Sequence, residues 1–296
     1  MMSARFLTVV LERAFNMRDG FGREIDYMRI SVIDSCNLNC YYCNPCDNNE
    51  HCHALNILSV KEVLCIVRAA TRLGIKHFRL TGGEPLLHPQ LDEMVLQIKK
   101  IPGVSSVSLT TNAVLLVQHA KWLKEAGIDS INVSLDTIDA SEYERITKKP
   151  LLEEVKHGIN AAIECGIRVK INVVLTPQTD VVALTRYVAK KGTDIRFIEM
   201  MPVGEGHTNG VEPYKKVIGT LSKLYGEPCR INTEKTKEIN SGNDKRKIPD
   251  NGPAEYYIFP ELGIRVGLIQ AIHGKFCDTC NRIRAVSYTH LRAHET

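Results

Sequence analysis

The sequence predicts an α/β fold in which short strands alternate with helices around a mainly parallel sheet. Six short β-rich runs are separated by stretches with helical periodicity. The tripeptides Leu-Gly-Ile, Ala-Gly-Ile and Cys-Gly-Ile recur where a helical stretch gives way to a strand. Repeated strand–helix units favour parallel strands, because each crossover helix returns the chain to the same edge of the sheet. The pattern leaves open whether the units close partly into a barrel or form a doubly wound sheet.

The individual elements follow from composition and periodicity. One helix begins at Ser59, where Glu62 three residues later completes a capping box. Beyond Gly226 the alternation ends in a polar stretch, residues 232–250, which we predict to be an exposed loop. The predicted strands are residues 28–33, 77–81, 104–110, 130–135, 169–175, 195–199, 256–259 and 264–268. The other predicted helices are residues 91–100, 118–126, 153–164 and 181–190.

Length and charge limit the class of protein. A chain of 296 residues with 44% hydrophobic content can bury one large core, or one core and a small appendage. The net charge of +4 is too small to predict nucleic-acid binding. No stretch approaches the ~20 apolar residues of a membrane span, and Glu12 and Arg13 interrupt the apolar run at residues 6–11. We therefore expect a cytoplasmic protein that binds neither nucleic acid nor membrane.

The cysteines indicate metal chemistry. The chain has 10 cysteines, and in a cytosolic protein of this size clustered cysteines more often bind metal than form disulfides. Cys36, Cys40 and Cys43 follow the first predicted strand, where a parallel α/β fold places its active-site loops. Three thiolates can hold three irons of a cubane and leave the fourth iron open. A structural zinc site completed by Cys46 and Cys52 is the alternative.

Two motifs resemble those of the radical S-adenosylmethionine (SAM) superfamily. One is the Cys-x-x-x-Cys-x-x-Cys spacing with Tyr42 before the last cysteine, and the other is Thr81-Gly-Gly-Glu-Pro85 at the end of the second strand. Independently, Gly82 and Gly83 let the main chain approach a ligand closely, and Glu84 can accept hydrogen bonds from an ammonium group. The resemblance implies a partial (β/α)6 barrel, a [4Fe–4S] cluster on the three cysteines and reductive cleavage of SAM to a 5′-deoxyadenosyl radical.

Further motifs, spread over roughly residues 28–284, resemble the GTP 3′,8-cyclase family of molybdenum cofactor biosynthesis. They are Phe276-Cys-Asp-Thr-Cys-Asn-Arg-Ile-Arg284, Arg196-Phe-Ile-Glu-Met-Met-Pro-Val-Gly-Glu-Gly206, Thr110-Thr-Asn112 and Asn132-Val-Ser-Leu-Asp136. The resemblance implies a lyase that converts GTP to (8S)-3′,8-cyclo-7,8-dihydroguanosine 5′-triphosphate. It also implies a second [4Fe–4S] cluster that faces the purine and is held by Cys277 and Cys280.

The resemblance assigns site residues one by one. Arg282 and Arg284 fall on catalytic positions. The SAM-binding positions are Tyr42, Gly82, Gly83, Glu84, Ser134 and Met201. The GTP-binding positions are Arg29, Arg79, Thr110, Lys170, Arg196, Arg282, Ile283 and Arg284.

Four of these basic residues lie within predicted strands, namely Arg29, Arg79, Lys170 and Arg196. In a barrel such a side chain faces either the lumen or the helices, and an unpaired charge is costly in both places. A polyanionic ligand in the lumen would compensate several charges at once, and arginine offers bidentate bonds to phosphate. For each base taken singly, an Asp or Glu partner or an exposed strand end is the alternative.

Three positions depart from the family pattern. His77 stands where a phosphate-contacting lysine is common, and the neighbouring Lys76 could substitute for it. Ala113 stands where glycine is common, so it must tolerate a tight turn. His294 stands where the family has a third cluster cysteine, and the segment after Arg284 resembles translated adaptor sequence, so we expect a truncated reading frame. The predicted organisation is a radical SAM barrel over residues 1–225, a small C-terminal α+β extension over residues 226–284 and a non-native tail over residues 285–296.

The resemblance also implies partners. These are GTP as substrate, a flavodoxin- or ferredoxin-type electron donor and a cyclic pyranopterin monophosphate synthase acting downstream, and a homodimer is compatible with them. Two alternatives stay open. One is another twin-cluster radical SAM enzyme such as a peptide-modifying maturase, against which the Asn281-Arg-Ile-Arg284 motif and Arg29 argue. The other is a catalytically impaired fragment that only binds cluster and SAM, which the missing third cysteine supports.

Overall fold

A computed structural model describes residues 17–43, 57–200, 213–231, 254–270, 280 and 282–285. The strands are β1 (Tyr27–Ser31), β2 (His77–Thr81), β3 (Ser106–Thr111), β4 (Ser130–Ser134), β5 (Arg168–Leu175), β6 (Asp194–Glu199), β7 (Cys229–Ile231), β8 (Glu255–Ile258), β9 (Arg265–Ile269) and β10 (Arg282–Ala285). The helices are α1 (Val60–Arg72), α2 (Leu91–Lys99), α3 (Leu116–Glu125), α4 (Ala140–Thr147), α5 (Leu152–Glu164), α6 (Val181–Lys190) and α7 (Pro213–Tyr225), with a short 3-10 helix at Pro85–Leu87.

The strands form one ten-stranded sheet in the order β10-β1-β2-β3-β4-β5-β6-β9-β8-β7. Strands β1 to β6 lie side by side in chain order, each parallel to the next, and β9 and β10 extend this array in parallel at its two ends. An unbroken order is that of a barrel, because a doubly wound sheet reverses direction part-way. Among the described strands the two edges do not pair, so the predicted partial barrel is confirmed as an open sheet.

The helices begin where the sequence supplies capping side chains. The Ser59 hydroxyl accepts from the Glu62 N–H and the Glu62 carboxylate accepts from the Ser59 N–H, so the predicted capping box is present. Asp139 and Asp180 cap α4 and α6 by a single hydrogen bond each, in which the carboxylate accepts from the N–H of Glu142 and of Ala183. No helix in the described ranges is long and apolar enough to cross a bilayer.

The sheet has two buried faces of opposite character, because neighbouring residues on a strand point to opposite sides. One face is apolar and shares a core with the helices; it carries Ile30, Phe78, Leu109, Ile131, Ile171 and Phe197. The other face, called the polar face below, carries Arg29, Arg79, Ser108, Asn132, Lys170 and Arg196. All of these except Arg29 are buried. Polar groups leave water at a cost, so a buried polar face indicates a site for a polar ligand.

Several elements were absent from the sequence prediction, namely α4, α7, β7 and β10. The predicted boundary at 225/226 coincides with the end of α7. The strands that follow do not form a sheet of their own, because β9 pairs with β6 and β10 pairs with β1. Strand β10 ends at Ala285, the first residue of the segment predicted to be a non-native tail; the remainder of that segment lies outside the described residues.

Candidate active site

The three cysteines of the first motif lie on the loop that follows β1. Cys36 and Cys43 are exposed and Cys40 is partly exposed. The Cys43 N–H donates to the Cys40 carbonyl at 2.9 Å and closes a turn. Thiols presented on one short turn fit a cubane, in which each iron takes its own ligand. Within the described ranges no three His, Cys, Asp or Glu side chains converge on a single metal ion, and Cys46 and Cys52 lie outside those ranges.

The environment of these thiols keeps them protonated when no metal is bound. Burial raises the pKa of Cys40 to about 12, and the neighbouring Cys43, Asp136 and Cys36 add to the shift. Cys36 and Cys43 are exposed as whole residues, but partial desolvation of their sulfur atoms raises the pKa of Cys43 to about 11 and also raises the pKa of Cys36. A cysteine binds a metal as its thiolate, so cluster binding at this loop has to release protons.

The backbone of Gly82 and Gly83 packs directly against the start of the loop that bears the cysteines. A Cβ at Gly82 would lie 2.2 Å from the Ile33 carbonyl oxygen, and one at Gly83 would lie 2.2 Å from the Ser35 carbonyl oxygen. The Gly83 N–H donates to the Ile33 carbonyl at 2.7 Å, and the next N–H along the chain donates to the Ser35 carbonyl at 2.8 Å. The two glycines were predicted to let the main chain approach a ligand. In the structure they let it approach the loop that bears the cysteines.

Glu84 is 1% exposed and its carboxylate is used inside the protein. Oε1 accepts from the Thr111 hydroxyl at 2.6 Å and the Leu86 N–H at 3.0 Å, and Oε2 accepts from the Asn112 N–H at 2.7 Å. Burial raises the pKa of Glu84 to about 7, although these three hydrogen bonds oppose the shift. The described contacts of this carboxylate thus join the loop after β2 to the loop after β3, and its contact with the ammonium group of SAM stays a prediction.

Asn112 links that second loop to the cysteine loop. Its Nδ2 lies 2.7 Å from Asn37 Oδ1 and 3.8 Å from Cys36 Sγ, so it donates towards a predicted cluster ligand. The next residue, Ala113, has a φ of +66° and is fully buried. The prediction that Ala113 must tolerate a turn suited to glycine is therefore confirmed.

Tyr42 and Asp136 connect the cysteine loop to the end of β4. The Tyr42 hydroxyl donates to Asp136 Oδ2 in a short hydrogen bond, and Oδ1 accepts from the Val174 N–H at 2.7 Å. Burial raises the pKa of Asp136 to about 6 against the effect of these bonds, and burial also raises the pKa of Tyr42. Ser134, a predicted SAM contact, is exposed two residues before Asp136.

Arginines from separate strands meet on the polar face. Arg79 is 7% exposed and donates from Nε to the Ser108 hydroxyl at 3.0 Å. The Tyr27 ring contacts two of them, with its centre 5.4 Å from the Arg79 guanidinium carbon and 4.4 Å from that of Arg282. The predicted substrate-binding residues of β2 and β10 therefore share one aromatic neighbour on β1.

The same arginines repel one another. Burial lowers the pKa of Arg79 to about 9, against the opposing effect of Tyr27. The positive charges of Arg196, Arg29 and Arg282 lower it further. A guanidinium group stays protonated in proteins, so the lowered pKa reflects first the burial of this charge and then the neighbouring positive charges, and a bound anion would offset both. Arg29, Arg79, Arg196 and Arg282 are called the arginine cluster below.

Arg196, on β6, hydrogen-bonds to a neutral side chain and packs against a glycine. Arg196 is 2% exposed and donates from Nε to Asn172 Oδ1 at 2.9 Å. A Cβ at Gly267 on β9 would lie 2.7 Å from Arg196 Cγ and 2.9 Å from the Tyr256 ring, so only glycine leaves space for both side chains. Lys170 lies on the same side, with Nζ 5.9 Å from the centre of the Tyr256 ring.

Comparison with known proteins identifies the family. A model of the radical SAM superfamily matches residues 30–184, and a model described as Molybdenum Cofactor Synthesis C matches residues 193–293. A GTP 3′,8-cyclase of Clostridium perfringens (strain SM101 / Type A) is 37% identical over 271 residues, which cover 90% of this chain and 80% of that protein. The chain belongs to the GTP 3′,8-cyclase family. A cyclase of Pelotomaculum thermopropionicum is also 37% identical, over 283 residues that cover 93% of this chain and 83% of that one.

Solved structures share the fold of this GTP 3′,8-cyclase family member. Streptococcus suis SuiB bound to S-adenosylmethionine aligns with a TM-score of 0.56 at 18% identity, over 67% of this chain and 47% of that chain. Methylornithine synthase (PylB) aligns with a TM-score of 0.54 at 17% identity, over 77% of this chain and 71% of that one. At these identities the likeness establishes the fold alone. The radical SAM family match supports an iron–sulfur cluster and SAM as cofactors.

The structure places some of the remaining residues predicted from the cyclase family. Thr110 is partly buried on the polar face, next to Asn132 in register. Ile283 pairs with Met28 and packs against the apolar core, so its side chain lies on the face opposite to that of Arg282. Any contact of Ile283 with substrate therefore falls to its main chain.

Other predicted residues are described only in part or not at all. Cys280 is partly buried just before β10. Arg284 is in register with Arg29, but its side chain lies outside the described atoms, as do Met201 and Cys277 altogether. Asn112 and Asp136 were not predicted as site residues. Both follow a strand at the edge that carries the cysteine and glycine loops, and that position was the available signal.

Proposed function

We propose that this chain is a GTP 3′,8-cyclase, a radical SAM lyase that converts GTP to (8S)-3′,8-cyclo-7,8-dihydroguanosine 5′-triphosphate in molybdenum cofactor biosynthesis. The observation that carries the proposal is the arginine cluster, in which Arg79 and Arg196 are buried. Within the described residues, Arg79 hydrogen-bonds only to Ser108 and Arg196 only to Asn172, both neutral groups. Buried cations without counter-charges are unfavourable, so the site favours a ligand with several negative charges.

A triphosphate meets this requirement. Its oxygens can accept charge-assisted hydrogen bonds from several guanidinium groups, each worth about 1.5–3 kcal/mol. The cluster draws on β1, β2, β6 and β10, so a triphosphate bound on the polar face can be contacted from several strands at once.

The cofactor residues support the same proposal. When bound, the cluster and SAM supply the one-electron chemistry that produces a carbon radical. Cys36, Cys40 and Cys43 would hold the cluster, and the SAM contacts would come from Tyr42, Gly82, Gly83, Glu84, Ser134 and Met201. A second [4Fe–4S] cluster on Cys277 and Cys280 belongs to the proposal, as do the substrate contacts of Arg282, Arg284, Ile283, Thr110 and Lys170.

The proposed partners follow from this reaction. A reduced flavodoxin or ferredoxin would supply electrons to the cluster, and a cyclic pyranopterin monophosphate synthase would consume the product. We place this reaction in the cytoplasm, and a homodimer is compatible with it.

An anaerobic assay tests the function. The reconstituted protein is supplied with SAM and a reductant, and 5′-deoxyadenosine and nucleotide products are measured with GTP, with ATP or with a cysteine-containing peptide. GTP alone should yield a cyclised nucleotide. Peptide-dependent deoxyadenosine would instead indicate a maturase, and deoxyadenosine without any product would indicate the impaired fragment.

Arg282→Ala tests the role of the arginine cluster by equilibrium binding of GTP to the reconstituted protein. Loss of one charge-assisted contact should weaken GTP binding by roughly 10- to 100-fold, corresponding to about 1.5–3 kcal/mol. The matched control is Arg186→Ala, because Arg186 donates to the Tyr225 hydroxyl at the protein surface. Equal GTP affinity in the two variants would contradict a triphosphate site at the cluster.

A further inference from the structure

Asn132 is a buried amide without a partner at the middle of the polar face. Its side chain is 0% exposed, and in the part of the chain that the structure describes neither Nδ2 nor Oδ1 has a hydrogen-bond partner. It lies in β4, in register with Thr110 on one side and Lys170 on the other. Both neighbours are among the predicted substrate contacts.

The surrounding polar side chains differ from Asn132 in having partners. Asn172, on the next strand and the same face, accepts a hydrogen bond from Arg196 at 2.9 Å. Lys170 extends towards β8, where its Nζ lies 5.9 Å from the centre of the Tyr256 ring. Buried amides in folded proteins almost always find partners, because an unsatisfied one costs free energy. The amide of Asn132 is therefore available for a group that is not among the described residues, such as a bound ligand.

The chemistry of the Asn132 amide indicates which kind of ligand group would hydrogen-bond to it. Phosphate oxygens are better served by the arginine cluster, because charge-assisted bonds are stronger than those of a neutral amide. An amide that donates through Nδ2 and accepts through Oδ1 matches a hydroxyl group, which also donates and accepts. The neutral part of a nucleotide that carries hydroxyl groups is its ribose.

The position of Asn132 along β4 agrees with this choice. Asn132 and Ser134 lie on the same face, two residues apart, which is about 7 Å along a strand. Ser134 is a proposed SAM contact, so the part of the substrate beside Asn132 lies next to SAM. A 3′,8-cyclisation forms its new bond at ribose carbon 3′, so the radical derived from SAM must reach that carbon. The ribose is therefore the part of the substrate expected beside Asn132 and SAM.

We infer that Asn132 is a substrate-positioning residue that hydrogen-bonds the ribose hydroxyls of the nucleotide and orients the ribose towards SAM. The inference rests on the proposed function. Through Asn132 the enzyme would distinguish ribonucleotides from their deoxy analogues, while the arginine cluster would bind the triphosphate of either.

The first test is nucleotide selectivity. Anaerobic equilibrium binding of GTP, 2′-deoxy-GTP and 3′-deoxy-GTP is measured with the reconstituted wild type and with Asn132→Leu, which has nearly the same shape. The wild type should bind at least one deoxy analogue about tenfold more weakly than GTP. The Leu variant should bind GTP and that analogue about equally. Asn132→Ala should show the same loss of selectivity, independently of how leucine packs.

The second test is stability without nucleotide, which a purely structural role would move in the opposite direction. Asn132→Leu should raise the midpoint temperature of unfolding by a few degrees, because it removes two unsatisfied buried polar atoms. Asn172→Leu is the matched control and should lower the midpoint, because it takes away the partner of Arg196.

Retained selectivity in both Asn132 variants, or a lower midpoint for Asn132→Leu, would overturn the inference. Failure of the wild type to convert GTP would instead refute the proposed function on which it rests. A wild type that converts GTP while its variants keep the selectivity would refute the role of Asn132 alone.

Discussion

Several residues of the candidate site connect neighbouring loops to one another, in addition to any contact that they make with a ligand. Glu84 is the main example, since its carboxylate accepts hydrogen bonds from Thr111, Leu86 and Asn112. These donors lie on two different loops at the same edge of the sheet. A group buried this deeply couples its protonation to the stability of the fold.

The stability of the protein should therefore depend on the charge of Glu84. Its pKa is raised to about 7 in the folded state, above the ordinary 4.5. The folded state binds the proton more tightly, so this stabilisation is complete below about pH 4.5 and is lost as pH rises through 7. In urea unfolding between pH 5 and 8, Glu84→Gln should gain stability relative to wild type as pH rises, by on the order of 3 kcal/mol. Parallel curves for the two proteins would exclude this coupling.

Tyr42→Phe tests the connection to Asp136. The variant removes the donor to Asp136 Oδ2 and leaves the buried carboxylate with the Val174 N–H. The unfolding free energy should fall by about 1–3 kcal/mol, and SAM cleavage should slow because the cysteine loop loses this link. Tyr225→Phe, which removes an exposed hydrogen bond to Arg186, is the control and should change little. Equal losses in the two variants would argue against a special role for the Tyr42 bond.

At the scale of whole elements, two helix glycines are in contrasting environments. Gly158 in α5 faces the turn after β3, and a Cβ there would lie 2.3 Å from the carbonyl oxygen of Ala113. A Cβ at Gly219 in α7 would meet no described atom within 4 Å. The packing of α5 therefore depends on the missing side chain, whereas that of α7 does not.

Alanine at each position gives opposite expectations. Gly158→Ala should destabilise the protein by about 1–3 kcal/mol, because the backbone of the facing turn resists the added methyl group. Gly219→Ala should stabilise it by up to about 1 kcal/mol, because alanine favours a helix interior more than glycine does. Denaturant unfolding of the two variants measures both. A destabilised Gly219→Ala protein would show that the open space around α7 is occupied in solution.

The sequence predicted long elements with clear periodicity and missed those set by distant contacts. The strand at His77–Thr81 and the helix at Val181–Lys190 have the predicted bounds. β10 is only four residues long and exists because it pairs with β1 at the far end of the chain. A pattern of four residues carries too little periodicity to be recognised locally.

The candidate site was also predictable only where its pattern is local in the sequence. The spacing of Cys36, Cys40 and Cys43 is local, so it was readable from the sequence. The partners of Gly83 and Glu84 are not local, because Ser35 and Thr111 reach them only through the pairing of β1, β2 and β3. The buried state of Asn132 likewise depends on strands that approach from elsewhere in the chain.

For the molecule as a whole, the arginine cluster opposes folding and favours ligand binding. Arg79→Met should raise the unfolding free energy of the nucleotide-free protein by on the order of 1–3 kcal/mol, because it replaces a crowded buried charge with an apolar chain of similar length. The same variant should lose the rise in melting temperature that GTP gives the wild type. Thermal unfolding with and without GTP measures both effects, and Arg186→Met is the exposed control. A less stable Arg79→Met protein would show that the charge is compensated.

The pairing of β10 with β1 has a consequence for the order in which the protein is made. During synthesis β1 emerges early and can pair on one side with β2, but its other edge must wait for a strand from the opposite end of the chain. An unpaired strand edge invites association with other chains, so the nascent protein carries this exposure through most of its translation. The last of the described strands to be made also brings Arg282 beside Tyr27, so the positive charges of the arginine cluster come together only after the other described strands have been made.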